Sequence, residues 1–238
     1  MVVQFVDPTG QTLIARVPRQ GTAAIQPDSE LVVEEGQLAV LLRDGAAFDV
    51  FGPGHHPLTP SSLPMLGRAG GGSGEDGSLP RAAVLFISSK TFTDLKWGTP
   101  EPVVCRDAEL GPVELRAYGE LAARVDDPRR FAERVAESRG IATNDGLEGL
   151  CREVIVERLA DVVGAGASSV FGLLGATDGL GEDLKTRLAG DLSELGLELV
   201  DLAVLGLRAP KDLRRRTGEY AAAGAGKDAE TAAPLSKK

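Results

Sequence analysis

From Val113 to Val125 the chain alternates: Val113, Leu115, Ala117, Gly119, Leu121, Ala123 and Val125 are apolar or small, and Glu114, Arg116, Tyr118, Glu120 and Arg124 fall between them. A period of two over this length predicts a long strand with one buried face in an antiparallel sheet. Residues 37–43 form a nearly continuous apolar run, Asp44-Gly45 supply a turn pair able to take positive φ, and residues 46–51 return as a second strand. Gly52-Pro53-Gly54 then ends this hairpin. Residues 2–6 and 12–17, separated by Asp7-Pro8-Thr9-Gly10, predict a further hairpin at the N-terminus. Shorter strands are expected over 31–34, 82–88, 91–96 and 103–106, with 97–102 a rigid turn.

Past Asp127 the period becomes helical. Asp127 is a good N-cap and Pro128 suits the first helical position, with Phe131 and Val135 the buried stripe of a helix ending before Gly140. Leu147, Leu150, Cys151, Val154, Ile155, Leu159 and Val162 recur at steps of three and four and predict a longer helix. Residues 168–174 read as a short helical turn. A third helix follows over 178–195 on Leu180, Leu184, Leu188, Leu192 and Leu195, with Gly196 as its C-cap. Residues 197–207 are apolar at both parities apart from Glu198 and Asp201, which predicts a strand inside the sheet rather than at its edge. Strands first, helices next and one strand returning describe an α+β domain, a mostly antiparallel sheet packed by about three helices.

The expected organisation is an N-terminal β-hairpin extension over 1–27, a main domain over 28–208, and a short basic helix with a disordered tail over 209–238. Gly67–Pro80 holds too many glycines to order itself by burial and reads as a mobile loop, an insertion between two strands rather than a flap over a site. With 238 residues the chain can bury a core without disulfides or metal. A net charge of −9 argues against a nucleic-acid footprint, which needs a basic face to neutralise phosphates. No apolar run reaches the length of a membrane span, and the first residues lack the basic start and apolar core of a signal peptide. Together with Cys105 and Cys151 far apart, this predicts a cytoplasmic chain without direct membrane insertion.

Candidate chemistry is sparse. His55 and His56 are the two histidines; adjacent side chains diverge, so the pair does not readily hold one ion, and no nucleophile motif accompanies them. Gly70-Gly71-Gly72-Ser73-Gly74 lacks the lysine of a phosphate loop and is followed by Glu75-Asp76, which repel phosphate. Glu34-Glu35 and Asp126-Asp127 sit at element boundaries where capping accounts for them. No catalytic residue, cofactor or metal site is therefore assigned. Between residues 208 and 216 Arg208, Lys211, Arg214, Arg215 and Arg216 stand against Asp212 alone, a basic run able to pair with acidic protein surface.

With these elements placed, the chain resembles the SPFH (band 7) superfamily of stomatins, prohibitins and flotillins, and more closely its bacterial virion-core-protein-like branch. The resemblance is carried by Val33-Glu34-Glu35-Gly36-Gln37-Leu38-Ala39-Val40, Arg43-Asp44-Gly45, Phe51-Gly52-Pro53-Gly54, Arg106-Asp107, Asp127-Pro128 with Phe131, and residues 196–201. The string Phe92-Thr93-Asp94-Leu95-Lys96-Trp97-Gly98-Thr99 points to the branch. It implies a non-enzymatic scaffold or adaptor that forms homo-oligomers and reaches membrane or stress-response complexes through membrane-associated protein partners, at the inner face of the cell membrane. Against it stands a hydrolase or ligand-binding enzyme using the His55/His56 loop.

Overall fold

The computed structural model describes residues 1–26, 29–59, 61–65, 81–107, 110–136, 143–164, 170–175 and 177–210. The glycine-rich stretch, the basic residues Lys211, Arg214, Arg215 and Arg216, and the tail lie outside them. The strands are β1 (Val2–Gln4), β2 (Ile14–Val17), β3 (Ala23–Ala24), β4 (Ser29–Val33), β5 (Gln37–Arg43), β6 (Ala46–Phe51), β7 (Gly54–Leu58), β8 (Arg81–Ser88), β9 (Phe92–Gly98), β10 (Val103–Asp107), β11 (Gly111–Val125) and β12 (Leu197–Arg208). The helices are α1 (Pro128–Phe131), which widens into a π-turn over Ala132–Ala136, then α2 (Asn144–Gly164), α3 (Val170–Gly175) and α4 (Thr177–Glu194). The architecture is α+β with mostly antiparallel sheets, as the pattern predicts.

Among the described residues three sheets build the layers. One runs β2-β8-β5-β6 with β3 on β8, a second is β1-β4-β7, and the third places β12 on one side of β11 with β10 and β9 sharing the other. The β5–β6 hairpin forms as expected: Arg43 pairs Ala46, and Asp44 (φ 53°) and Gly45 (φ 79°) make the two-residue turn whose positive φ matches strand twist. The N-terminal hairpin does not form. β1 pairs parallel with β4, and β2 pairs with β8, so the two segments sit in different sheets. Leu13 and Ile14 thereby reach the main core, which a separate hairpin would leave half-exposed.

The central strands β5 and β8 are covered on both faces. Val40, Leu42, Leu85 and Ile87 join the larger cluster with the helices, while Ala39, Leu41, Val84 and Phe86 join a smaller one with Leu31, Val33 and Leu58 of the β1-β4-β7 sheet. The helical layer is tied to the hairpin by polar contacts as well: Ala47 N–H donates to Glu133 Oε1 at 2.8 Å, and the Arg129 guanidinium donates to the Phe48 carbonyl at 2.5 Å.

In the third sheet the alternation along β11 is complete, with Val113, Leu115, Ala117, Leu121, Ala123 and Val125 buried and the residues between them turned outward. α2 packs across β9 and β10 and α4 along β12, all on the buried side. Asp127 caps α1, its Oδ1 accepting from Arg130 N–H at 3.0 Å. Gly196 (φ 80°) ends α4; a Cβ there would come 2.5 Å from the Asp127 carbonyl oxygen, so the α4–β12 turn and the β11–α1 turn interlock only around a glycine. β9 extends through Trp97 and Gly98, which the sequence pattern places in a turn. The Trp97 indole lies over Gly119, its registered partner on β11.

β12 departs from expectation. Among the described residues it pairs only with β11 and lies at an edge of the sheet. Its apolar residues occur at both parities because the strand carries two bulges. The register passes from Gly206↔Tyr118 to Val204↔Gly119, skipping Leu205, and from Asp201↔Ala122 to Leu199↔Ala123, skipping Val200. Each extra residue reverses the phase, so Leu197 and Leu199, then Leu202 and Val204, then Leu207 all face the helices. The skipped residues are left outside, Val200 at 40 % and Leu205 at 55 % exposure.

Candidate functional site

The two histidines occupy strand β7 rather than the loop expected after Gly-Pro-Gly: His55 pairs with Val32 and His56 with Leu31. Successive strand residues face opposite ways. His55 is exposed, with Nδ1 2.9 Å from Glu30 Oε1. His56 directs Nε2 at the Gly52 carbonyl at 2.8 Å, which makes that nitrogen the protonated one, and its ring stands 5.0 Å from the Phe51 ring. Each imidazole is thus engaged by a different partner, His55 by a carboxylate and His56 by a backbone carbonyl, and the two rings do not converge on one point. Among the described residues no group of three or more His, Cys, Asp and Glu is placed to hold a metal ion.

The thiols are set apart from chemistry by burial. Burial and then Glu148 push Cys151 up to about 12, and burial with Asp107 raises Cys105, so both stay protonated and unreactive near neutrality. Asp7 is a positioned carboxylate. Desolvation pushes its pKa up, but hydrogen bonds from Thr12 N–H at 2.9 Å and from Thr9 N–H and Oγ1 at 3.0 and 2.8 Å outweigh it and hold the group at about 2. Its work is local, closing the β1–β2 connection.

Of the basic run, Arg208 is described, and its place is informative. It ends β12 beside Arg116. Its guanidinium carbon stands 5.0 Å from the centroid of the Tyr118 ring, a cation–π contact. That ring lies across Gly206, where a Cβ would come 2.8 Å from the tyrosine Oη. A glycine at 206 therefore lets the tyrosine lie flat, and the flat tyrosine positions the arginine.

On the same outward face, Asp94, Glu120 and Asp201 line a depression of 270 Å³. Asp94 is held at φ 58°. Asp201 takes a hydrogen bond from the Lys185 ammonium at 3.1 Å, and that contact, with the Leu202 N–H, keeps its carboxyl below the usual range. Farther along, Arg124 pairs with Glu198 at 2.6 Å. The site is thus an open, charged sheet face. Tyr118, Glu120 and Asp201 are visible in the sequence as polar positions; that they share one face with Arg208 follows from the bulged register, which leaves no local sequence signal.

No helix among the described residues is long and apolar enough to cross a membrane. No curated protein matches the chain. Residues 14–225 match the family described as SPFH domain-Band 7.

Proposed function

The chain belongs to the SPFH domain-Band 7 family, and on that premise we propose that it is a non-enzymatic scaffold or adaptor that self-associates and is brought to membrane or stress-response complexes by protein partners. The family match over residues 14–225 carries the reading. It is supported by the chemistry of the faces: the imidazoles are engaged by Glu30 and the Gly52 carbonyl, whereas the sheet carrying Arg208, Tyr118 and Asp201 offers charge and apolar surface to another macromolecule. The basic residues Arg208, Lys211, Arg214, Arg215 and Arg216 are the proposed contact for acidic partner surface. The string 92–99 favours the virion-core-protein-like branch, and its place is peripheral, at the inner face of the cell membrane.

Cross-linked pull-down from native cells, divided into membrane and soluble fractions, tests this. The expected result is recovery in high-mass complexes cross-linked to protein partners in the membrane fraction, released by high salt without detergent because the proposed contact is between exposed charges. Recovery as a free monomer in the soluble fraction overturns it.

A further inference from the structure

We infer that the outward face of the β9-β10-β11-β12 sheet is a twofold interface between two copies of this chain, with Arg208 of each copy seated in the acidic depression of the other. The inference rests on the self-association proposed above and names its surface.

The register fixes the pattern. Along β11 the outward residues run Glu114, Arg116, Tyr118, Glu120, Ala122 and Arg124; beside the last five, β12 places Arg208, Gly206, Ala203, Asp201 and Glu198. A second copy is turned by half a revolution about an axis lying between the two sheets and crossing the strands between Tyr118 and Glu120. β12 then lies over β12 in the opposite direction. Arg208 comes over Asp201 and the depression it shares with Asp94 and Glu120, Glu114 comes over Arg124, and Tyr118 covers Ala203 and the stem of Glu120. Each favourable contact occurs twice, as a self-complementary patch requires. Charges of opposite sign at mirrored positions on one face single out a second copy as the occupant, since a partner of one charge would meet a like-charged half.

The apolar and aromatic residues sit where such an interface needs them. Tyr118, Val200, Leu205 and Val104 are all exposed large residues, and Tyr118, already flat on Gly206 and stacked with Arg208, loses little freedom on contact. The bulges at Val200 and Leu205 also matter. They spoil β12 for edge-to-edge strand pairing while turning two apolar side chains outward, so the face and not the edge is the contact. Three strands abreast over the length of β12 offer roughly 600 Å² per copy, below the about 800 Å² of a standard interface, which fits a concentration-dependent dimer.

Sedimentation of the full chain over a concentration series, with circular dichroism to confirm folding, tests the inference. Arg208→Glu and Asp201→Arg should each weaken the dimer about tenfold or more, and the double variant, which re-forms both pairs in swapped sense, should return to within about threefold of the parent. Lys185→Ala, which removes the cation that Asp201 pairs with in its own chain, should not weaken it. If the parent assembles but the single variants are silent, or the double variant is no better than they are, this face is overturned while self-association stands. The face is overturned in the same way if Arg214→Glu/Arg215→Glu/Arg216→Glu abolishes assembly and the swap does not rescue, which would give the depression to the basic segment. A parent that stays monomeric at high micromolar concentration overturns both the interface and self-association.

Discussion

β5 and β12 look alike in sequence and stand in opposite situations. Both are runs of apolar residues with scarcely any alternation. In β5 the cause is burial on both faces: Ala39 and Leu41 pack toward the β1-β4-β7 sheet, and Val40 and Leu42 toward the helices. In β12 one face is covered, and two bulges slide the apolar set from one parity to the other and back. An unbroken apolar run therefore has two physical origins, two packed faces or one packed face with phase slips, and they respond to perturbation differently.

Deletions separate them most sharply. Removing Leu41 takes a fully buried side chain out of β5 and turns Leu42 from the helix-facing layer toward the opposite one, and the expected outcome is loss of the folded state by circular dichroism and calorimetry. Removing Leu205 takes out a residue that has no partner, leaving Gly206 opposite Tyr118 and Val204 opposite Gly119. That protein should fold, with a Tm lowered by no more than about 4 °C. Collapse of the Leu205 deletion would show that the bulge is needed for the twist of the edge. Truncation is the milder version. Leu41→Ala and Leu42→Ala should each cost about 2–5 kcal/mol in urea unfolding, since each removes a fully buried side chain, and Leu205→Ala should stay within about 0.5 kcal/mol. Similar costs at Leu42 and Leu205 would erase the distinction.

The smallest effect lies where the N-terminus joins the doubly covered side. Asp7, held at about 2 against an ordinary 3.8, favours the folded state as a carboxylate. A folded pKa below the unfolded one means that this contribution is present above about pH 4 and is lost as the pH falls toward about 2. The stability gap between the parent and Asp7→Ala should therefore narrow on acidification across that window. A gap that is constant, or that widens, would show that the carboxylate does not stabilise the fold.

How much of this could be read from the chain differs residue by residue. The alternation of Val113 to Val125, the Asp44-Gly45 turn and the Asp127-Pro128 cap are set by near neighbours, and each is found where the sequence places it. The partners of β1 and β2 are not, because a segment of three or four residues is compatible with several sheets and the choice is made by Leu13 and Ile14 reaching a distant core. The edge position of β12 is hidden by its bulges. The histidines mislead for a related reason: residues after Gly-Pro-Gly look like a loop until a strand, here β4, pairs with them. The charged face cannot be read at all without the register.

Trp97 gives these layers an optical label. It is the one tryptophan in the chain, and it is buried over Gly119 in the helix-backed sheet, away from the β1-β4-β7 layer. Its emission follows the solvation of that sheet, whereas far-ultraviolet dichroism sums over every strand and helix. The two signals melting together would mark a single cooperative unit. A lag of the fluorescence behind the dichroism would mean that the layer nearest the N-terminus comes apart while the sheet carrying Arg208 and Tyr118 is still intact.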